Sequence, residues 1–397
     1  MPKVANNPES KVIIIGGDHH NGLNLARIFG LNGKKVFAVV ITDQAKSWMV
    51  KSKFVDGYSV FKTEKEGFDF VLEKFSKETV KPFIIPYSDG AALELDLRLN
   101  EFKEKFFVPS INGKQGEIAR LMDKDAQYNW AQEHGIKMAK SETILLDADC
   151  SSRLGNSQFP IILKPAISAK GDKQDISICE NIDEAKNAFA VLKEKGYESI
   201  FVQEYLKIDY EIVIVGIIVS ENNFVFIANK VLRSWPTKGG TNSFSTMITD
   251  ENVLQKCRQL LTKIASFEYS GTIDVECFCV NGELYLNEIN WRNSGGDFRA
   301  IKDGFYYAYW YFCAVCSSNY KIPYWKAPSD SYSMVEDADF HHILKKEISL
   351  KQWIKDVRRT RNFATFRLDD LKPFIWKNVS SRLSFSYMQQ LMSKLKK

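Results

Sequence analysis

The segment from Gly271 to Asp297 reads Gly-Thr-Ile-Asp-Val-Glu-Cys-Phe-Cys-Val-Asn-Gly-Glu-Leu-Tyr-Leu-Asn-Glu-Ile-Asn-Trp-Arg-Asn-Ser-Gly-Gly-Asp. Two alternating apolar stretches flank Asn281-Gly282, a dipeptide typical of a tight hairpin turn because both residues tolerate positive φ. Symmetric pairing about this turn brings Glu276 opposite Glu288 or one residue away, with Asn290 on the same face as Glu288. Two carboxylates and an amide oxygen are hard ligands, which suit Mg²⁺ better than Zn²⁺. The segment therefore predicts a metal-binding hairpin, although a solvent-facing hairpin would show the same pattern.

A cation and a glycine-rich turn follow the hairpin directly. Arg292 comes two residues after Asn290, and Asn293, Ser294, Gly295 and Gly296 form the turn. This order places a positive charge and exposed backbone amides beside the predicted metal, which favours a site that handles phosphate.

Length and composition restrict the class of protein. A chain of 397 residues exceeds one hydrophobic core, so two or three domains are expected. With 45% hydrophobic and 26% charged residues it resembles an ordinary soluble protein, and a net charge of +5 with scattered lysines indicates no nucleic-acid partner. We see no signal peptide, and the aromatic run Phe305 to Cys316 is too short to span a membrane. Seven cysteines without a disulfide pattern indicate reduced thiols and a cytoplasmic protein.

Residues 11–120 alternate between apolar strands and helices. Strands are predicted at 11–15, 35–41 and 83–85, which indicates an open parallel sheet with ligands at the carboxyl ends of its strands. The turns after the first and third of these strands carry the candidate polar lining of a small-molecule crevice: Asp18, Asn21, Ser88 and Asp89.

The next part of the chain changes pattern. Residues 115–150 predict a helical connection that contains Lys124, and residues 150–215 predict short strands around one helix. Lys164 lies in an apolar strand, where a buried lysine needs a charged or polar partner. The loop from Ala166 to Asp175 follows it, and a later strand leads through Gln203 and Glu204 to Glu211.

This order of residues resembles the ATP-grasp superfamily. The resemblance rests on Phe159-Pro-Ile-Ile-Leu-Lys164-Pro-Ala and on Glu276 with Asn287-Glu288-Ile-Asn290-Trp-Arg292, and it covers roughly residues 115–300. It implies a mixed α/β and α+β chain, in which an N-terminal open parallel sheet precedes a two-lobed ATP-grasp fold. The expected domains are 1–115, the small lobe with linker helices at 116–210, the large lobe at 211–325 and an extension at 326–397.

The resemblance also implies an ATP site between the lobes. Lys124 and Lys164 would neutralise the α- and β-phosphates, and Glu276, Glu288 and Asn290 would hold one or two Mg²⁺ ions, with Mn²⁺ as a possible substitute. The loop over the triphosphate departs from the glycine-rich form of the family, since Ala-Ile-Ser-Ala-Lys-Gly has one glycine. The remaining nucleotide contacts implied are Lys170, Gly171 and Lys173 in the loop, Gln203, Glu204, Tyr205 and Leu206 at the adenine, and Glu211 at the ribose.

Two further segments resemble carboxylate–amine ligases such as D-aspartate ligase: Lys230 to Ser243, and Phe366 to Phe374. The implied reaction activates a carboxylate as an acyl phosphate with release of ADP, after which an amine forms the amide. An amino acid or a cell-envelope precursor is the candidate substrate. Arg292, Arg233 and Lys230 are the candidate catalytic cations. Substrate contacts are expected from Gly239, Gly240, Ser243, Asn293, Ser294, Gly295 and Gly296.

Two other functions remain open on the same fold. One is an ATP-binding module without turnover, and the other is a carboxylase or a carbamoyl-phosphate-type enzyme that uses bicarbonate. The expected partners are a small carboxylic acid and an amine, neither of which the sequence identifies. A homodimer is one option for the oligomeric state.

Overall fold

The computed structural model describes residues 8–44, 46–146, 158–165, 175–237, 240–317 and 319–382. Lys170, Gly171 and Lys173 of the predicted phosphate loop lie outside these ranges, as does Gly239.

The N-terminal part is an open parallel sheet, as predicted. Its strand order is β3-β2-β1-β4, so the chain adds two strands on one side of β1 and then crosses to the other. The crevice of such a sheet lies where the order reverses, at the carboxyl ends of β1 and β4. The strands are β1 Val12–Gly17, β2 Val36–Ile41, β3 Val55–Phe61 and β4 Phe83–Pro86, and the helices are α1 His20–Leu31, α2 Glu64–Phe75, α3 Asp89–Leu97 and α4 Leu99–Phe102.

A small lobe of four strands follows the connecting segment β5 Ser110–Ile111, α5 Glu117–Leu121 and α6 Lys124–Glu133. Its strands β6 Ser141–Leu145, β7 Ile161–Pro165, β8 Ser177–Cys179 and β9 Ser199–Glu204 pair in the order β6-β9-β7-β8, and helix α7 Ile182–Glu194 packs on one face. Strand β6 corrects the prediction that residues 115–150 are a helical connection throughout.

The large lobe is built on a long, mostly antiparallel sheet. Its order is β14-β13-β10-β11-β12-β15-β16, with β5 paired to β13, so residues beyond 325 extend the same sheet. The strands are β10 Tyr210–Ser220, β11 Asn223–Trp235, β12 Thr241–Met247, β13 Tyr269–Val280, β14 Glu283–Asn290, β15 Tyr332–Met334 and β16 Thr360–Phe363. The helices are α8 Glu251–Ala265, α9 Tyr307–Cys316, α10 Glu336–Leu344, α11 Leu350–Arg359 and α12 Lys372–Arg382, and 3₁₀ turns occur at Met49–Lys51, Asp297–Asp303 and Leu368–Asp370.

Both faces of this sheet are buried. Ile212 and Val275 belong to the core on the α8 side, whereas Val215 and Ile217 pack into the core that contains α9 and the N-terminal sheet. Helix α9 is the aromatic run of the sequence and is buried, as predicted. None of the helices within the described ranges is long and apolar enough to cross a membrane.

Candidate active site

The hairpin of β13 and β14 forms as predicted. Asn281 and Gly282 adopt φ angles of 49° and 75°, and the strand register pairs Glu276 with Glu288. Asp274 pairs with Asn290 two residues along, so these four side chains belong to one face. An irregularity after Glu276 inserts Asn287, whose Nδ2 lies 3.5 Å from Glu276 Oε2. The sequence analysis included neither Asn287 nor Asp274 among the metal-site residues. Strand alternation already places Asp274 on the same face as Glu276.

The electrostatics of this face favour a cation. Burial, Asp274 and Glu288 together raise the pKa of Glu276 to about 8, although Arg292 opposes them. A divalent ion would stabilise the ionised form and displace the proton. Among the described residues no three His, Cys, Asp or Glu side chains form a ligand cluster. Two carboxylates and an amide still fit Mg²⁺, because this ion is commonly held by one or two carboxylates together with substrate phosphates.

Arg292 links the hairpin to the N-terminal domain. Its Nε donates to Asp89 Oδ1 at 2.8 Å, and its Nη1 lies 3.7 Å from Asp274 Oδ2. Burial by itself would lower the pKa of Arg292, but Asp274 and Asp89 outweigh it and raise the pKa. Arg292 therefore remains a fixed positive charge beside the carboxylates.

The turn after Arg292 is hydrogen-bonded to residues at the carboxyl ends of β1 and β4, where the strand order of the N-terminal sheet reverses. The Asn293 amide donates to Pro86 O at 3.1 Å, and the Gly295 carbonyl lies 3.0 Å from His20 Nε2. Asn293 and Ser294 are fully buried: Asn293 Nδ2 donates to Asp297 Oδ2, and Ser294 Oγ donates to Asp274 Oδ2. The side chains of Asn293 and Ser294 thus support the turn, and their contact with a substrate stays a prediction.

Two of the predicted crevice residues stabilise local structure. Asp18 accepts hydrogen bonds from Ser47 Oγ and the Trp48 amide at 2.6 and 3.2 Å, and Ser88 Oγ accepts from the Ala91 amide at 3.3 Å as the N-cap of α3. Both side chains are used by the fold, and their contact with a substrate stays a prediction.

Asn21 and Asp89 lie at the turn itself. Asn21 Nδ2 donates to Tyr87 O at 3.3 Å, and a Cβ added at Gly295 would lie 3.1 Å from Asn21 Oδ1. Asp89 is half exposed and bound to Arg292. Both residues border the crevice, and their contact with a substrate stays a prediction.

The small lobe contributes two cations opposite the hairpin. Lys164 Nζ donates to Gln203 Oε1 at 3.2 Å and lies 4.8 Å from the Phe201 ring centroid, and Lys124 Nζ lies 5.9 Å from the same ring. Burial and Lys124 together lower the pKa of Lys164 to about 8, although Glu288 opposes them. A cavity of about 70 Å³ is lined by Met122, Lys124, Gln127, Met138, Lys164, Phe201, Gln203, Asn287 and Glu288. The predicted phosphate and metal residues therefore meet between the lobes.

Strand alternation separates Gln203 from Glu204. Lys164 pairs with Phe201, and Gln203 lies two residues on, so these three share the face toward the hairpin. Glu204 points the other way, and its Oε2 accepts from the Lys140 amide at 3.2 Å. The Tyr205 amide donates to Pro160 O at 3.2 Å. The side chain of Glu204 and the amide of Tyr205 are thus used within the lobe, and their contact with adenine stays a prediction.

Glu211 lies on the metal face of the large sheet. Its neighbour Val213 pairs with Glu276, so Glu211 and Glu276 share a face, and burial raises the pKa of Glu211. Its contact with ribose remains a prediction, as does the contact of the Leu206 backbone with adenine.

The predicted catalytic cations Lys230 and Arg233 lie elsewhere. Lys230 pairs with Ile212, which is buried on the α8 side, and its Nζ lies 4.1 Å from the Tyr210 ring centroid. Arg233 donates to both carboxylate oxygens of Asp339 at 2.9 and 2.8 Å, and to Asp356 Oδ2 at 2.7 Å. The Arg233 contacts join α10 and α11 to the sheet, and a catalytic role for Lys230 and Arg233 stays a prediction.

The segment after Arg233 is also structural where it is described. Ser243 Oγ is buried and donates to Asp339 Oδ1 at 2.9 Å. A Cβ at Gly240 would lie 2.0 Å from Pro236 O, so close backbone approach explains that glycine.

Comparison with known proteins agrees with this geometry. A family model described as the ATP-grasp domain matches residues 129–296. The formate-dependent phosphoribosylglycinamide formyltransferase of Wolinella succinogenes is 26% identical over 246 residues, which are 59% of this chain and 58% of the relative. The corresponding protein of Prochlorococcus marinus is 22% identical over 225 residues, 56% of each chain. The chain thus spans a little under three fifths of the curated relatives it matches.

Solved structures show the same fold. N5-carboxyaminoimidazole synthetase of Staphylococcus aureus, complexed with ADP, has a TM-score of 0.63 at 16% identity and covers 80% of each chain. The biotin carboxylase domain of a Hydrogenobacter thermophilus 2-oxoglutarate carboxylase has a TM-score of 0.60 at 16% identity, and the match covers 81% of this chain and 73% of that one. Residues 129–296 of the chain match the ATP-grasp domain, and the chain shares the fold of these solved structures.

Proposed function

We propose that this protein is an ATP- and Mg²⁺-dependent carboxylate–amine ligase that proceeds through an acyl phosphate and releases ADP. The observation that carries the proposal is the meeting of Lys124 and Lys164 with Glu288 around one cavity, next to the Glu276–Glu288 pair. Partly buried cations opposite partly buried carboxylates suit a metal-bound polyphosphate, because each lysine would neutralise phosphate charge and each carboxylate would hold the metal.

Different residues bind the phosphates, the metal and the acyl phosphate. Lys124 and Lys164 bind phosphate oxygens, and Gln203 fixes Lys164 through its side-chain oxygen. Glu276, Glu288 and Asn290 would hold Mg²⁺, which neutralises charge on the β- and γ-phosphates when bound. Arg292 lies beyond the carboxylates and would stabilise the negative charge of the acyl phosphate. Phosphoryl transfer of this kind depends on positioning and charge neutralisation, so no protein nucleophile is required.

The relatives support small-acid chemistry. One group is named for its dependence on formate, and solved neighbours are described with ADP, and in one case with MgADP and bicarbonate. The bicarbonate in that neighbour favours a second candidate, in which bicarbonate takes the place of the organic acid. The acid, the amine and the assembly of the protein remain proposals.

Product analysis tests the function. The protein is incubated with ATP, Mg²⁺ and pairs of acids and amines, with bicarbonate as one acid, and the nucleotide product is identified. We expect ADP, and an acid labelled with oxygen-18 in its carboxylate should deliver one labelled oxygen to the released phosphate. Glu288→Gln serves as the inactive control. AMP with pyrophosphate, or unlabelled phosphate, would contradict the acyl-phosphate mechanism.

A further inference from the structure

Arg299 is a buried cation that the proposed mechanism does not yet use. It lies in the 3₁₀ turn Asp297–Asp303, directly after the glycine pair, and keeps 6% of its surface exposed. Its Nε and Nη1 have no hydrogen-bond partner within the described parts of the chain. A buried guanidinium without partners is unfavourable by itself, because desolvation of the charge is uncompensated.

The backbone of the glycine turn packs directly against the Arg299 guanidinium. A Cβ added at Gly296 would fall 1.6 Å from Arg299 Nη1, so only a glycine lets the turn lie on the guanidinium. The same turn carries Arg292 at its start and is fixed to the N-terminal sheet through Asn293. Arg299 is therefore packed against the backbone that borders the crevice.

The charges around Arg299 differ from those around the lysines. Lys164 interacts electrostatically with Lys124 and Glu288, whereas Glu276 interacts with Asp274, Glu288 and Arg292. Arg299 interacts with Asp274, Asp297 and Glu276. Arg299 therefore lies near the carboxylates on which Arg292 also acts. With the polyphosphate bound by the lysines, these two arginines are available for the second anion of the reaction.

A purely structural arginine would be expected to donate to the carboxylates around it. Asp274 Oδ1 and Asp297 Oδ1 are buried and, like the two Arg299 nitrogens, have no partner among the described residues. Arg299 therefore balances these charges only at a distance, and its donors are available for a ligand.

We propose that Arg299, together with Arg292, forms the subsite that binds the carboxylate of the acid substrate. This inference rests on the proposed function and specifies its acid site. The planar fork of a guanidinium matches a carboxylate or bicarbonate, for which two parallel N–H donors are available. The carboxylate oxygen that attacks the γ-phosphorus would then lie next to Glu276 and the metal.

Binding measurements with the full chain test the subsite. Thermal shift and calorimetry are recorded in Mg²⁺–ADP with formate, acetate, bicarbonate or inorganic phosphate, and with chloride at equal ionic strength. We expect at least one carboxylate or bicarbonate to stabilise the wild type, and Arg299→Met to weaken its binding by about 30-fold or more. The Mg²⁺–ADP affinity should stay unchanged. Arg120→Met, an exposed arginine in an i,i+3 pair, is the matched control.

Two further variants keep the test decisive if Arg299→Met does not fold. Arg299→Lys retains the charge and should bind the carboxylate more weakly than the wild type. Gly296→Ala should displace the guanidinium and have the same effect while all charges remain. Unchanged carboxylate binding in the variants that fold would overturn the proposal and make Arg299 a structural counter-ion.

The remaining outcomes separate the two proposals. Arg299-dependent binding of phosphate alone would overturn the acid subsite. Nucleotide binding without any carboxylate binding in the wild type would also overturn it, but would leave the nucleotide site intact. Failure of Mg²⁺–ADP itself to bind would contradict the proposed function.

Discussion

Protonation of the Glu276 carboxylate competes with binding of a cation at the proposed metal site. Its pKa of about 8 in the folded protein lies above the ordinary value of 4.5, because burial and the neighbouring Asp274 and Glu288 disfavour its charge. The folded state therefore binds more protons than the unfolded state between these values. The free energy of unfolding of the metal-free protein should fall as pH rises through this window.

The first prediction follows from that sign. Mg²⁺ binds the ionised form, so the increase in Tm on adding Mg²⁺ should become larger as pH rises from about 6 to about 8. Glu276→Gln should remove most of this pH dependence, whereas Glu283→Gln, exposed on the same hairpin, should retain it. Thermal unfolding in EDTA and in Mg²⁺ at each pH measures the effect. An increase independent of pH in the wild type would contradict the metal assignment of Glu276.

Lys164 supports a second prediction, on nucleotide affinity. Lys164→Met should weaken ATP binding by about 2 to 4 kcal/mol, because a desolvated charge facing phosphate is lost. Lys186→Met, an exposed lysine of α7, should bind ATP like the wild type. Isothermal titration calorimetry with Mg²⁺–ATP gives both values. Equal affinities in the two variants would place Lys164 outside the phosphate site.

The sequence could predict side chains whose position depends on local geometry. Glu276 and Glu288 face each other because the Asn281-Gly282 turn sets the register of the hairpin. Arg299 could not be predicted in this way, since its lack of partners depends on a turn that packs across two domains.

Secondary structure was predictable where periodicity was strong. The apolar patterns of the buried N-terminal strands and of helix α7, together with the turn residues that bound them, indicate their secondary structure. Strand β6 is short and carries Ser141, Glu142 and Thr143, so its pattern does not stand out from a connection. The face that Glu204 occupies could not be predicted for a related reason, because it depends on the pairing of β7 with β9.

Arg233 has ion-pair partners that the sequence could not predict. Its partners Asp339 and Asp356 lie 106 and 123 residues away in the chain, on α10 and α11, so no local pattern reveals the pairs. Both carboxylates are fully buried and bind the guanidinium directly. Arg233 therefore joins the sheet to these two helices.

The third prediction concerns this joint. Arg233→Met should lower the free energy of unfolding by about 3 to 5 kcal/mol, because two buried carboxylates lose their cation. The folded fraction should release ADP at the wild-type rate. Arg120→Met removes an exposed i,i+3 pair and should cost less than about 1 kcal/mol. Urea unfolding and ADP release are measured for both. Loss of turnover with normal stability in Arg233→Met would instead support the catalytic role that the sequence predicts for this residue.

The segment beyond residue 325 is integrated into the rest of the protein. Strands β15 and β16 extend the sheet of the large lobe, and Asp370 reaches back to the N-terminal domain. Arg27 Nε donates to Asp370 Oδ2 at 3.0 Å, although 343 residues separate the two. Contacts over such a distance in the chain leave no periodic signal, which is why the sequence indicated only an extension here.

The last prediction tests that connection between the ends of the chain. Asp370 is buried and also accepts hydrogen bonds from Ser52 Oγ and the Lys53 amide at 2.8 and 3.1 Å. Asp370→Asn keeps the shape of the side chain but leaves Arg27 as a buried charge without its counter-ion. The free energy of unfolding should fall by about 3 to 5 kcal/mol.

The neighbouring residue provides the control. Asp369 is half exposed and pairs with Arg367 at 2.6 Å and with Lys53 at 3.8 Å. Because these are ion pairs of a solvent-exposed carboxylate, Asp369→Asn should cost no more than about 1 kcal/mol. Urea unfolding of both variants, followed by circular dichroism and by tryptophan fluorescence, gives the two midpoints. If the N-terminal domain and the C-terminal segment unfold together, both probes shift equally in Asp370→Asn. A wild-type midpoint in that variant would mean that the buried pair with Arg27 does not stabilise the protein. Separate shifts in the two probes would mean that the C-terminal segment unfolds independently of the N-terminal sheet.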